Sequence, residues 1–214
     1  MANFQIDIIS DTVCPWCYIG HRRLQRAISA YQSQHPTSTF STTYHAFYLN
    51  PSAPSPSVDK AAYMASRFPA AQLAAIHSRL TAAGRDLGIT FSFGGKTGNT
   101  RSSHLLIELG RLRGVQTAVV EQLFAAYFEA EEDITDFAVL VKRGVAGGLD
   151  EDEAWKWLRS DGGGEEVDSE VNDAKRRGIS GVPHFTVNGK RSVSGAQGES
   201  AFLEIFEELA AEEN

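Results

Sequence analysis

The stretch SDTVCPWCYIG, residues 10–20, decides how this chain folds. It follows residues 4–9 (FQIDII), which are short and rich in β-formers and therefore predict a strand. Pro15 suits the first turn of a helix, where its missing N–H is not needed. Apolar residues then recur at helical spacing up to residue 35, and the face they form contains Cys17, Leu24, Ile28 and Tyr31. The stretch therefore predicts a strand, a short loop and a helix that begins at the cysteine motif.

The chain of 214 residues contains two cysteines, Cys14 and Cys17. A disulfide across so short a loop restricts the unfolded chain little, so it would be a poor structural crosslink. A zinc site would need two further ligands, and no second cysteine pair exists to supply them. We predict no metal site, and a C-x-x-C pair that follows a strand and opens a helix then favours redox chemistry.

The position of Cys14 at a helix N-terminus indicates how that chemistry would work. Unpaired backbone N–H groups and the positive end of the helix dipole favour a thiolate over a thiol. We therefore predict an accessible Cys14 with a lowered pKa that attacks a disulfide, and a buried Cys17 that resolves the mixed disulfide. Pro15 and Trp16 stiffen the turn between them and place a large ring beside the sulfur.

A second motif, GVPH at residues 181–184, lies directly before a predicted strand. Proline at the start of a strand can adopt a cis peptide bond, and such bonds are rare. We predict that the Val182–Pro183 bond is cis and that this loop faces the cysteines. The backbone of Val182 would then be available to pair with an extended peptide or with glutathione.

The rest of the chain divides into strand-like ends and a helical middle. Residues 39–49 predict a second strand, and the proline-rich residues 50–57 predict a loop. Asn188-Gly189 is the preferred type I′ turn pair and predicts a hairpin, which an amphipathic helix over residues 198–211 follows. Helical spacing occurs at residues 59–67, 69–87, 101–113, 115–130, 136–146 and 150–160.

These patterns predict two units. Residues 1–57 and 178–214 would form the core, and residues 58–177 would form an inserted helical domain. Residues 91–100 and the three glycines at 162–164 read as loops within that insertion.

Composition limits the partners of the chain. Its formal charge of −7 argues against general binding to nucleic acid or to an anionic membrane. No run of about 18 apolar residues is present, so we expect no spanning helix. The first residues contain no basic leader, which makes the cytoplasm the expected location.

Several segments together resemble the DsbA-like thioredoxin family, specifically its FrnE-type branch. They are residues 10–20, YLNP at 48–51, NT at 99–100 with His104, AAYF at 125–128, DI at 133–134, GVPHF at 181–185 and VSGAQ at 193–197. The resemblance covers essentially the whole chain and implies an α/β thioredoxin fold with a large all-helical insertion. Related groups are the kappa-class glutathione transferases and the 2-hydroxychromene-2-carboxylate isomerases, which usually carry serine at the position of Cys14.

The resemblance also implies a site for substrate or glutathione. Beside the catalytic Cys14 and Cys17, that site would contain Pro15, Trp16, Asn50, Val182, Pro183, Ser194, Ala196 and Gln197. It implies no tightly bound cofactor, with glutathione as a co-substrate.

Two classes of function follow. The first is a thiol–disulfide oxidoreductase acting on glutathione-linked or other small disulfides, or on proteins. The second is a glutathione-dependent isomerase or transferase acting on a small unsaturated metabolite. The sequence is compatible with a homodimer but does not predict the oligomeric state.

Three further features are site candidates, namely GGKT at residues 94–97, His104 and Asp11. GGKT at residues 94–97 lacks the earlier glycine of a phosphate-binding loop, because position 90 is threonine. His104 fits a structural role and a substrate contact equally well. For Asp11, which lies three residues before Cys14, a loop or capping role is favoured over proton transfer to Cys14.

Overall fold

The computed structural model describes residues 2–212. The strands and helices follow in the order β1 (Asn3–Ser10), α1 (Pro15–Gln34), β2 (Thr39–Ala46), β3 (Val58–Asp59), α2 (Lys60–Arg67), α3 (Ala70–Arg85), β4 (Lys96–Thr97), α4 (Arg101–Leu112), α5 (Gln116–Phe128), α6 (Phe137–Ala146), α7 (Glu151–Arg159), α8 (Gly164–Arg176), β5 (His184–Val187), β6 (Arg191–Ser194) and α9 (Glu199–Glu212). Within this range no helix combines the length and the apolarity needed to cross a bilayer.

Four strands form one sheet in the order β2-β1-β5-β6. Strand β1 pairs in parallel with β2 and antiparallel with β5, and β5 pairs antiparallel with β6. β1 is therefore central, which explains why Phe4, Ile6 and Ile8 are almost fully buried. This strand order, with α1 joining the two parallel strands, is the thioredoxin core that the sequence predicts.

An aromatic cluster joins the sheet to helices α1 and α9. The Phe4 ring lies 4.8 Å from that of Phe40 and 5.0 Å from that of Phe206, measured between centroids. Tyr31 of α1 meets the Phe206 ring of α9 at 5.6 Å, nearly edge to face. These contacts connect the first strand to the last helix, so the two ends of the chain share one core.

The helical middle of the chain matches the predicted insertion. Helices α4, α5, α6 and α7 pack on one another, and α4 and α5 also contact the edge strand β2. The fully buried Leu106, Leu123 and Leu140 lie in α4, α5 and α6 and are shared among these helices. The domain boundaries at residues 57 and 178 stay a prediction.

Two features of this region differ from the sequence prediction. Gly164, expected in a loop, is the first residue of helix α8, which begins after Gly163 in a left-handed conformation at φ 70°. Glu165 and Glu166 in the first turn suit the positive end of that helix. β3 and β4 form a two-residue ladder, which is too short to produce an alternating sequence pattern.

The predicted strand at residues 39–49 is also shorter in the structure. β2 ends at Ala46. Beyond it the backbone N–H of Leu49 donates to the side chain of Asp11 at 2.8 Å, and this contact turns the chain away from the sheet.

The predicted hairpin is present. Asn188 and Gly189 both have positive φ, at 51° and 65°, as a type I′ turn requires.

A half-buried ionic network fastens α8 to the sheet. Nδ1 of His45 lies 2.7 Å from a Glu170 carboxylate oxygen, and Nε2 lies 3.0 Å from Asp7. Glu170 also accepts the backbone N–H of Ala46 at 2.8 Å. Burial alone would lower the pKa of His45, but the hydrogen bonds to Glu170 and Asp7 raise it above its usual value. The imidazolium therefore stabilises the folded state.

This network predicts a pH-dependent stability. A histidine pKa that is raised on folding contributes stability below its unfolded pKa of about 6.5, and loses that contribution as pH rises through the folded pKa. We expect His45→Gln to lower the free energy of unfolding by about 1 kcal/mol at pH 6 and by less at pH 9. Urea unfolding at both pH values measures the difference. Glu170→Gln should reduce the same pH dependence, and parallel stability curves for native and His45→Gln proteins would contradict the assignment.

Candidate active site

The cysteine motif opens helix α1 as predicted. Cys14 is the N-cap residue, with an extended backbone at φ −91° and ψ 112°, and Pro15 follows in the first turn. The Cys14 carbonyl accepts the backbone N–H of Cys17 at 3.0 Å, and no side chain caps the helix. The Cys14 sulfur therefore lies at the positive end of a twenty-residue helix.

The two thiols differ strongly in acidity. A hydrogen bond from the Cys17 side chain lowers the pKa of Cys14, against burial and the nearby charge of Asp11, which both raise it. Burial raises the pKa of Cys17 well above its usual value, and the hydrogen bond to Cys14 adds to the effect. Cys14 therefore loses its proton at lower pH than Cys17, which is the asymmetry needed for exchange.

The predicted accessibility of Cys14 is wrong. Its residue surface is only 3% exposed, close to the 2% of Cys17. The cover comes from the loop before β5, because the Cys14 sulfur lies 3.5 Å from the carbonyl oxygen of Val182. A contact between residues 168 positions apart leaves no trace in the helical periodicity that led us to expect exposure.

The structure brings the predicted loop segments together at this helix end. The Val182–Pro183 peptide bond is cis, and the Pro183 carbonyl accepts the backbone N–H of Gly195 at 2.8 Å. The Ala196 carbonyl accepts a hydrogen bond from the guanidinium of Arg23 in α1. Residues 182–183 and 195–196 are therefore tied to each other and to the helix that carries the cysteines.

Two other residues predicted for the site, Ser194 and Gln197, form hydrogen bonds with residues of the β5–β6 hairpin. The Ser194 hydroxyl lies 3.0 Å from Nδ1 of His184, and the Gln197 side chain donates to the Ser194 carbonyl at 3.1 Å. Both side chains are exposed. Within residues 2–212 the backbone N–H of Val182 donates no hydrogen bond.

Gly20 permits the close approach of α1 to this loop. A Cβ at position 20 would lie 3.0 Å from Phe185 Cζ and 3.1 Å from Pro183 Cγ. A side chain there would push against buried ring atoms of both residues. Glycine thus sets how closely the Pro183 loop packs on the helix one turn after the cysteine motif.

A cleft of about 330 Å³ adjoins the motif, and Val182 is not among its lining residues. Its walls include Val13 and Pro15, which flank Cys14, together with Asn50. The Asn50 amide donates to the Tyr63 hydroxyl of α2 at 2.7 Å, so Asn50 lines this cleft rather than the Val182 loop. Trp16 is half-buried, and the guanidinium carbon of Arg79 in α3 lies 4.8 Å from its ring centroid.

Asp11 and His104 belong to the framework of the site. Asp11 is 1% exposed and accepts the backbone N–H of Leu49. His104 is 3% exposed, and its Nε2 lies 3.2 Å from the Phe47 carbonyl and 3.4 Å from the Asp11 carboxylate. The pair holds the turn after β2 in place, which supports the structural alternative for both residues.

Sequence analysis missed Tyr63 and Arg67 of α2 and Arg79 of α3, which lie near the motif but not on the helix that carries the cysteines. Because these helices lie more than 40 residues from the cysteines in the sequence, no local spacing connects the three residues to the motif. Among the described residues no cluster of three or more His, Cys, Asp or Glu side chains is arranged to hold a metal ion.

The strand order and the motif at the helix N-terminus define the class of thioredoxin-fold proteins with a C-x-x-C pair. A family model described as a DSBA-like thioredoxin domain matches residues 5–207. The chain belongs to the DsbA-like thioredoxin family. Members of this family are oxidoreductases or isomerases.

Solved structures agree with this assignment. A probable DsbA oxidoreductase from Streptomyces coelicolor is 25% identical, with a TM-score of 0.87 over 98% of this chain and 91% of that one. A 2-hydroxychromene-2-carboxylate isomerase is 17% identical, with a TM-score of 0.67 over 97% and 95%. The cytosolic disulfide reductase DsbM from Pseudomonas aeruginosa, solved with GSH, is 15% identical, with a TM-score of 0.59 over 97% and 96%. No curated protein sequence matches the chain.

The thiol asymmetry predicts an ordered alkylation. In the reduced protein iodoacetamide should modify Cys14 before Cys17, with a pH midpoint below that of a free cysteine. Cys17→Ala should raise that midpoint, because it removes the donor that contributes most to the lowered pKa of Cys14. Mass spectrometry of quenched time points measures both, and an unchanged midpoint in Cys17→Ala would contradict the assignment.

The burial of Cys14 predicts a size limit on reagents. A polymer-linked maleimide should react with Cys14 far more slowly than a small maleimide, and both should react equally fast in urea.

The packing at Gly20 predicts a graded loss of stability. Gly20→Val should lower the free energy of unfolding by about 1–3 kcal/mol, because its methyl groups would enter space held by Phe185 and Pro183. Gly20→Ala should cost less, since a gain in helix propensity of about 1 kcal/mol offsets a smaller clash. Urea unfolding measures both, and a Val variant as stable as the native protein would rule out the close packing.

Proposed function

We propose that this protein is a thiol–disulfide oxidoreductase whose redox pair is Cys14 and Cys17. The Cys14 thiolate attacks a disulfide GS–SR, forms the mixed disulfide Cys14–SG and releases RS⁻, which takes up a proton. Cys17 then loses its proton and attacks Cys14, which closes the Cys14–Cys17 disulfide and releases glutathione. Two electrons pass from the dithiol to the substrate, and two further glutathione molecules restore the dithiol.

The observation that carries this proposal is the asymmetric thiol pair. A lowered pKa at Cys14 and a raised pKa at Cys17 provide one ready nucleophile and one protected thiol. A serine in place of Cys14 could not form a mixed disulfide, and a lone cysteine could not resolve one by closing an internal disulfide. Retention of both sulfurs therefore favours a redox reaction over simple activation of glutathione.

The burial of Cys14 supports a small substrate. A sulfur that is 3% exposed and covered by the Val182 loop is reached more easily by a slender disulfide than by a folded protein. A cleft of about 330 Å³ lies at the small end of the range for ligand pockets and can enclose a small group.

Glutathione is the thiol that we assign to the loop side of the site. The free N–H of Val182 can pair with the backbone of a bound peptide. The exposed Ser194 and Gln197, together with the backbone at Ala196, can accept its γ-glutamyl end. Arg23, which holds the Ala196 carbonyl, adds positive charge next to a ligand that carries two carboxylates.

We assign the protein to the cytoplasm on the same basis. A glutathione-rich compartment keeps thiols reduced and would continually restore the Cys14–Cys17 dithiol. DsbM, which shares the fold, is described as a cytosolic disulfide reductase with GSH.

A second candidate is a glutathione-dependent isomerase or transferase acting on a small unsaturated metabolite. The observation that favours it is the cleft beside the motif, which could hold such a substrate next to glutathione. In that reaction Cys17 has no chemical role. Cys17→Ser would therefore retain isomerase or transferase turnover with glutathione, whereas its reaction with a disulfide in the absence of free glutathione would stop at the Cys14–SG mixed disulfide.

Trapping experiments test the redox proposal. Cys17→Ser should accumulate a one-to-one mixed disulfide with glutathione when it is treated with a glutathione-linked disulfide, because the resolving thiol is absent. Cys14→Ser should form none. Intact-mass spectrometry detects the added glutathione, and equal modification of both variants would contradict Cys14 as the nucleophile.

The substrate class is tested by comparing two disulfides. We expect the native protein to reduce a small glutathione mixed disulfide readily and insulin only modestly. Brisk insulin reduction, together with no detectable glutathione binding to Cys14→Ser by calorimetry, would instead indicate a protein substrate.

A further inference from the structure

The cleft beside Val13 and Pro15 has polar groups that the proposed exchange chemistry does not use. Tyr63, Arg67 and Asn50 converge on one wall. The rest of the lining is largely apolar and includes Leu49, Met64 and Phe68. A cleft with an apolar body and one polar corner suits a ligand with the same division.

Arg67 is the one cation among the residues that line this cleft. Its guanidinium donates to the Tyr63 hydroxyl at 2.8 Å and lies 5.2 Å from the centroid of that ring. Among the described residues it has no carboxylate partner, unlike Arg101 or Arg143 elsewhere in the chain. The guanidinium is thus held in position while most of its N–H donors remain available.

The hydroxyl proton of Tyr63 is available for a hydrogen bond to a ligand. Its oxygen accepts two hydrogen bonds, from the Asn50 amide at 2.7 Å and from Arg67 at 2.8 Å. Its own O–H finds no acceptor within residues 2–212. The phenolic proton and the remaining guanidinium N–H groups together form a donor pair that a carboxylate would satisfy.

The lining carboxylate does not oppose an anion at this corner. Asp11 is the acidic residue among those that line the cleft, and it is 1% exposed. One of its oxygens accepts the backbone N–H of Leu49, and the other faces His104. Its charge is directed into the protein, whereas Arg67 is exposed.

We propose that this cleft binds the non-glutathione half of the substrate, and that this half is an apolar thiol carrying a carboxylate that contacts Arg67 and the Tyr63 hydroxyl. The inference rests on the proposed function, because it places the RS group of GS–SR in the cleft beside Val13 and Pro15, whose lining does not include Val182. The chemical class of substrate is then a mixed disulfide of glutathione with a small acidic thiol.

A pair of matched probes tests this assignment. Glutathione mixed disulfides of mercaptohexanoate and mercaptohexanamide have the same chain and the same reactive sulfur environment, and they differ in one remote charge. We expect the native protein to favour the carboxylate in kcat/KM. Arg67→Ala should lower kcat/KM for the carboxylate about tenfold and change the amide less than twofold.

Two further variants separate the donors from general damage. Tyr63→Phe removes the phenolic O–H and should reduce the preference for the carboxylate, with little effect on the amide. Arg85→Ala removes an exposed arginine from the last turn of α3, outside the cleft, and should leave both substrates unchanged. Thermal unfolding of each variant checks that the fold is intact.

Binding to a protein that cannot exchange distinguishes failure of this inference from failure of the redox proposal. S-carboxypentyl glutathione and its amide are thioethers, so calorimetry on Cys14→Ser reports recognition alone. The carboxylate should bind about tenfold more tightly, and Arg67→Ala in that background should abolish the difference. Equal binding of the two thioethers, or no binding of either, overturns the subsite whether or not disulfide exchange occurs.

Discussion

The contact between the start of helix α1 and the loop before β5 is the constraint on which the site depends. It places the Cys14 sulfur 3.5 Å from the Val182 carbonyl and covers a residue that would otherwise lie open at a helix end. Gly20 allows it, because any side chain there would meet Phe185 and Pro183. The pairing of β1 with β5 fixes where the loop before β5 lies relative to the N-terminus of α1.

Burial and hydrogen bonding act in opposite directions on the two thiols. Burial penalises a thiolate at either position, but Cys14 receives a hydrogen bond from Cys17 and lies nearer the helix N-terminus. The hydrogen bond from Cys17 stabilises negative charge on the Cys14 sulfur, and it disfavours deprotonation of Cys17 itself. Burial of Cys17 and its hydrogen bond to Cys14 together make Cys14 the more acidic thiol.

The helical middle of the chain supplies the walls of the site as well as its own core. Helices α2 and α3 bring Tyr63, Arg67 and Arg79 to the rim of the cysteine motif. At the far side of the sheet, α8 is held to β2 through His45 and Glu170. The helical middle therefore contacts the core at both ends, through α3 on α1 and through α8 on β2.

Much of this could be predicted from the sequence alone, because the signals are local. Pro15 after Cys14 predicts the helix start, Asn188-Gly189 predicts the hairpin turn, and helical spacing predicts α2 to α7, since each depends on neighbours in the chain. Resemblance to a family, rather than a local pattern, indicated that residues 193–197 belong with the Val182–Pro183 loop. Gly164 was misplaced because a run of three glycines predicts a loop, whereas here a left-handed Gly163 serves as the N-cap of α8.

Only the tertiary structure decided the exposure of Cys14 and the composition of the cleft. The cover over Cys14 comes from residue 182, and the groups around the cleft come from separate helices, so neither has a periodicity to read. The sequence determined which residues carry the sulfur chemistry and which strands and helices present them. Contacts between distant residues decided how closed the site is and which charges face it, because burial and electrostatics depend on separation in space rather than along the chain.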